Sequence, residues 1–139
     1  MVPALLVLVG AWTGQMTCST GHYGVGVSLF ESQGALVARY KAASGGDNPM
    51  KTDGRVAVTP RSKPGEFTAQ SNGVSVKVTL AEKGQVLIFA PDPAATGLAA
   101  LIKFSGTARL DKKRTKAVVR YTVTTPLGSD PCMGSMKKS

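Results

Sequence analysis

Apolar and polar residues alternate with period two along much of the chain, the spacing of strands that turn one face to a core and one to water. The clearest run is Val74-Ser75-Val76-Lys77-Val78-Thr79-Leu80, whose apolar members share one face. Tyr23, Val25, Val27 and Leu29 alternate with Gly24, Gly26 and Ser28, which predicts a strand with one apolar face and one bare face suited to close approach. Further strands are predicted over 35–41, 55–59, 66–70 and 86–89. Gly34, the stretch 42–53, the basic turn 60–65 and Glu82-Lys83-Gly84 connect them, with Gly84 in the left-handed position. Pro91-Asp92-Pro93 stops the strand before it, and the Ala-rich segment that follows is read as a loop because Gly97 interrupts it.

The stretch from Ile102 to Thr124 reads as a hairpin. Ile102, Phe104, Ala108 and Leu110 share one face of its first strand, and Ala117, Val119, Tyr121 and Val123 share one face of its second. A turn centred on Lys112 and Lys113 sets Phe104 opposite Tyr121 and Ile102 opposite Val123 on the core side. The same register sets Arg109 opposite Lys116 outside, an unfavourable pair of like charges. About eight short strands at these intervals predict an all-β fold, a single small antiparallel β-sandwich or barrel. The residues from Pro131 to Ser139, Cys132 apart, read as a frayed basic tail.

No charged side chain precedes Glu31, and Val2 to Trp12 is an almost unbroken apolar run, too short to span a bilayer and as long as a secretory h-region. Residues 1–17 are therefore expected to be a signal-like leader and residues 18–139 one β domain. The competing reading is a buried first strand. A basic segment before the run is missing. Gln15-Met16-Thr17-Cys18 resembles a bacterial lipoprotein signal, with Cys18 where the lipidated residue stands and Ser19-Thr20-Gly21 as a polar tether. Such signals carry Leu where this chain has Gln15, and Gly, Ala or Ser where it has Thr17. The alternative use of Cys18 is a disulfide with Cys132, the other cysteine of the chain. The two uses exclude each other, and the bridge is preferred because lipidation leaves Cys132 as an odd thiol.

Composition narrows the picture. With 42% hydrophobic and 18% charged residues, the chain is too apolar to be disordered, and 16 Gly and 8 Pro suit many turns. Its net charge is +9, and the hairpin holds a large share of it. Lys103, Arg109, Lys112, Lys113, Arg114, Lys116 and Arg120 stand there against Asp111 alone. These residues are the candidate anion-binding site, for a lipid head group, an anionic surface or an acidic polymer. A solvated strand face whose lysines deter aggregation is the plain alternative. Nucleic acid is the weakest of the anion classes, because no aromatic side chain interleaves the outward positions and an exported protein meets little of it.

His22 is the only histidine and has no second ligand residue beside it in sequence, so no metal site is expected. No G-x-S-x-G elbow occurs, Gly24-Val25-Gly26 lacks the context of a phosphate loop, and the pairings of Glu66 with Glu82 or Asp92 carry no spacing signal. The expectation is a non-enzymatic module without a cofactor, exported to the periplasm, the membrane surface or the medium, and acting through the basic hairpin. The alternative is a lipid-anchored accessory subunit that pairs with an envelope protein by a sheet edge, using the Gly24–Val27 strand and the loop at Ser44 to Asn48.

Overall fold

The computed structural model describes residues 8–33, 35–44, 51–71 and 74–139. Ten antiparallel strands follow one another: β1 (Gly10–Cys18), β2 (Gly21–Ser32), β3 (Ala35–Ser44), β4 (Lys51–Pro60), β5 (Glu66–Ser71), β6 (Val74–Ala81), β7 (Val86–Pro91), β8 (Lys103–Leu110), β9 (Lys116–Thr125) and β10 (Gly128–Lys138). A one-turn helix, α1 (Leu98–Leu101), precedes β8 inside the segment read as loop. Each strand pairs with the next, and β1 pairs with β10, so the sheet closes into a barrel. The fold is all-β and antiparallel as expected, but it is a closed barrel of ten strands rather than a sandwich or a barrel of about eight.

The two additional strands lie at the termini. The expected leader overlaps β1, which pairs with both β2 and β10 and buries Trp12 and Met16 in the interior. The stretch from Gly10 to Cys18 is thus a stave of the barrel, and its removal would open the sheet; residues 1–7 of the expected leader lie outside the described residues. The segment read as a tail is β10, and its end is held by hydrogen bonds from Lys138 N to Thr115 O at 2.7 Å and from Ser139 N to Ala11 O at 2.9 Å. Pro131 is tolerated because β1 ends opposite Cys132, so position 131 has a strand neighbour only in β9.

Inward positions follow the predicted alternation. At one end of the barrel, where the β2–β3, β4–β5, β6–β7 and β8–β9 connections lie, Leu8, Trp12, Leu36, Val58, Phe67, Val78, Leu110 and Ala117 form a packed plug. The Trp12 indole N–H donates to Leu8 O at 2.9 Å, which satisfies the only polar atom of that side chain. The opposite end, the disulfide end, carries the Cys18–Cys132 bond between the last residue of β1 and its directly paired partner within β10.

Glycine is required where strands press together. A Cβ on Gly14 would run into the Ser135 carbonyl, one on Gly134 into the Gln15 carbonyl, and one on Gly106 into the backbone of Arg120 and Tyr121. The bare face of β2 is different. A methyl group added at Gly24 or Gly26 would meet no atom nearer than 3.9 Å, and nothing packs on either residue. The Gly24–Val27 stretch is also hydrogen-bonded on both sides, by β1 and β3, so it offers no free edge for a partner strand. Of the loop expected to assist it, residues 45–50 lie outside the described residues.

Candidate functional site

The hairpin of β8 and β9 has the predicted faces but a register displaced by two residues. Phe104 lies opposite Val123, Gly106 opposite Tyr121, and Arg109 opposite Val118 rather than Lys116. The cause is the connection. The Asp111 carboxylate accepts hydrogen bonds from Thr115 N at 2.8 Å, Lys116 N at 3.2 Å and the Thr115 hydroxyl at 3.3 Å, and Arg114 takes a left-handed conformation at φ 55°. These bonds close a longer loop than a turn centred on the two lysines, so the paired strands begin at Leu110 and Ala117. The Thr115 N–H bond, ahead of the other contacts, holds the Asp111 carboxyl below its ordinary value.

The seven predicted cations do not form one cluster. Lys103 sits at the disulfide end of β8, about 20 Å along the strand from Arg109. Arg120 lies outward in mid-strand, opposite Thr107 and Met133. Arg109 makes an ion pair with Glu82 at 2.7 Å, and Arg114 donates to Lys83 O at 3.0 Å, which docks the hairpin tip on the β6–β7 turn. That turn has the predicted left-handed Gly84, at φ 82°. Lys112, Lys113 and Lys116 are exposed beside it.

Lys137 joins this end of the site, although the sequence pattern places it in the tail. It stands directly opposite Lys116 on the outer face, the like-charged neighbour that the displaced register denies to Arg109. The signal is present in the alternation of Cys132, Gly134 and Met136 with Met133, Ser135 and Lys137, but β10 contains no Val, Ile, Thr or aromatic residue to announce a strand.

Between these outward side chains a groove of about 590 Å³ crosses β8, β9, β10 and β1. Register explains its shape. Leu110, Ala117, Met136 and Gly14 form one continuous row whose side chains point inward or are absent, so their backbone makes the floor. Thr13, Lys137 and Lys116 make one wall, and Gln15, Ser135, Val118 and Arg109 make the other. Four strands at sheet spacing give it a length of about 15 Å.

Other polar groups among the described residues pair with one another. Asp92 accepts from the Ser75 hydroxyl at 2.7 Å, Ala94 N at 2.9 Å and Arg61 at 3.4 Å, and the Ala94 bond leads the contacts that lower its pKa. Glu66 pairs with Lys77 at 3.1 Å. His22 is exposed, with Nδ1 3.0 Å from the Thr17 hydroxyl. Cys18, Asp130 and Cys132 are grouped closely, yet both sulfurs are consumed by the disulfide and the Asp130 carboxylate is occupied by Ser19 and Thr20. Those bonds, that of the Ser19 hydroxyl foremost, lower the Asp130 pKa. The cysteines are thus placed in the preferred of their two expected uses, in which the Cys18 sulfur has no valence left for an acyl-bearing thioether. A disulfide is compatible with an oxidising compartment.

The chain matches no protein-family model and no curated protein. Among solved structures it is similar to a de novo designed fluorescence-activating β-barrel, with 18% identity, full coverage of both chains and a TM-score of 0.52. A redesigned β-barrel is similar at 17% identity over 100% of this chain and 97% of that one, with a TM-score of 0.47. Another, bound to DFHBI, is similar at 16% identity over 97% and 98%, with a TM-score of 0.48. The first likeness supports the closed antiparallel barrel as a fold.

Proposed function

We propose that this chain is an exported, non-enzymatic barrel that binds an acidic polymer along its basic outer groove. The observation that carries the reading is the groove itself, with Lys116, Lys137 and Arg109 on its walls and Lys112 and Lys113 at its β8 and β9 end. A floor of backbone admits an extended chain, and cations contributed by three successive strands suit a ligand with repeating anions better than one isolated phosphate. The neighbouring Lys116 and Lys137 repel each other until an anion lies between them, so their pairing costs stability that a ligand restores. Arg109 contributes less, because Glu82 already engages it. Export is supported by the Cys18–Cys132 bond.

The test compares retention on dextran sulfate with retention on neutral dextran and on phosphatidylglycerol vesicles, across a salt titration. Selective binding to dextran sulfate that weakens steeply with salt is expected, because screening shortens the reach of exposed charges to about 8 Å at physiological ionic strength. The double variant Lys112→Glu, Lys137→Glu reverses two charges without touching Arg114, whose guanidinium anchors the adjacent turn. It should lose about tenfold or more in affinity, which is about 1.4 kcal/mol or more of lost charge contact, with little change in melting temperature. Undiminished binding rejects the groove, and binding to vesicles alone rejects the polymer.

A further inference from the structure

We infer that the lumen at the disulfide end is a second binding site, for an uncharged small molecule with a flat aromatic ring system. The first ground is the uneven filling of the barrel. Inward side chains at the plugged end are almost sealed, with Trp12 at 5%, Leu36 at 2% and Leu110 at 6% exposure. Inward side chains toward the other end, among them Tyr23, Tyr40, Phe89, Phe104 and Tyr121, keep partial contact with solvent. In a closed sheet such positions are reached by water through the lumen, so this half is a partly open cup, floored by Phe89 and Phe104 where they pack on the plug and sealed along the β1–β10 side by Met16 and Cys132. Ten strands enclose more space than the eight that suffice in other barrels to hold one small ligand.

The wall of the cup specifies the chemistry. Phe104 stacks on Tyr121 at 4.8 Å between centroids, and Phe89 meets Phe104 edge-on at 5.7 Å, which makes one ring surface across β7, β8 and β9. Gly106 creates the room for it, since it lies opposite Tyr121 and has no side chain to occupy the space. Such a surface gains most from another ring, by stacking beyond simple burial. Polar handles are few. Ser71 Oγ is buried without a hydrogen-bond partner, a cost that a polar atom of the ligand would remove. Burial, and after it the charge of Asp130, holds the Tyr121 hydroxyl above its ordinary pKa, so it remains a donor. Asp130, inward at the rim, keeps a carboxylate charge that the hydrogen bonds from Ser19 and Thr20 stabilise without cancelling, so it repels an anion, while its occupied oxygens offer a cation little, and an uncharged ligand suits this end best.

The test uses N-phenyl-1-naphthylamine, an uncharged aromatic fluorophore. One saturable site with blue-shifted emission is expected, unchanged between low and high salt and not displaced by dextran sulfate, which separates it from the outer groove. Val25→Trp, which fills the cup from the opposite wall, and Tyr121→Ala, which removes half of the stacked pair, should each weaken binding about tenfold or more. Melting curves show whether each variant is folded. Amide shifts on the unmodified protein decide the matter even if neither variant folds: they should fall on Gly106 and Tyr121 and spare Lys116 and Lys137. Absence of a saturable site, unchanged affinity in folded variants, or shifts confined to the outer face overturns the inference.

Discussion

Alanine in place of glycine should have opposite effects at two positions of this barrel that look alike in sequence. Gly24 and Gly134 both lie in strands, and neither has a positive φ. At Gly24 the nearest atom to an added methyl is the Ala43 carbonyl oxygen at 4.0 Å, an ordinary contact on an open outer face. Gly24→Ala therefore removes unfolded-state freedom without a clash and should stabilise by about 0.5 to 1 kcal/mol. At Gly134 the methyl meets the Gln15 carbonyl and the Met16 sulfur, at the seam where β10 closes on β1. A thioether can move aside, but a carbonyl in a strand ladder moves only by breaking pairing. Gly134→Ala should thus cost at the upper end of the overpacking range, about 3 kcal/mol. For a domain of this size each kilocalorie shifts the melting point by roughly 3 to 5 °C, so the predicted changes are about +3 °C and about −10 °C. Urea unfolding followed by tryptophan fluorescence supplies the free energies, with Trp12 in the plug as the reporter. Gly134→Ala within 0.5 kcal/mol of the parent, or Gly24→Ala destabilised by more than about 1 kcal/mol, would refute the argument that backbone proximity decides the sign.

Reduction of Cys18–Cys132, which spans 114 residues, should lower stability by about 4.7 kcal/mol on the chain-entropy estimate, seen as a lower urea midpoint in reducing agent; a loss below about 1 kcal/mol would place residual structure in the reduced unfolded chain. Asp92 has a folded pKa below its ordinary 3.8, so the folded state binds fewer protons than the unfolded one there. Its contribution is complete above about pH 4 and disappears as pH falls through the lowered value, and Asp92→Asn should flatten the acid limb of the stability profile while lowering stability at pH 7. An acid limb identical to the parent would exclude the Asp92, Ser75 and Arg61 cluster from the acid response.

Much of the architecture is local and legible in residue type and spacing alone. Period two in Val74 to Leu80, the left-handed Gly84, the stop at Pro91 and the inward and outward faces of the hairpin all follow from that local pattern. The charge of the hairpin is likewise a property of composition. What residue type could not decide is anything that depends on two distant segments meeting. β10 has almost no intrinsic strand preference and becomes a stave because β9 and β1 each present an edge that must be paired. Trp12, the last residue of the apolar run read as a leader, plugs a barrel whose closure no local window contains.

The same division holds for the candidate sites. The sequence determined which residues are cationic, which are aromatic and which face they occupy. The two-residue displacement of the hairpin arises from one carboxylate closing its loop, and that displacement brings Tyr121 opposite Gly106. Pairing with β10 then sets Lys137 beside Lys116 and completes the groove. Alternation fixes a side chain's face within a strand, whereas its neighbours across the sheet depend on register and closure, which the whole barrel decides together.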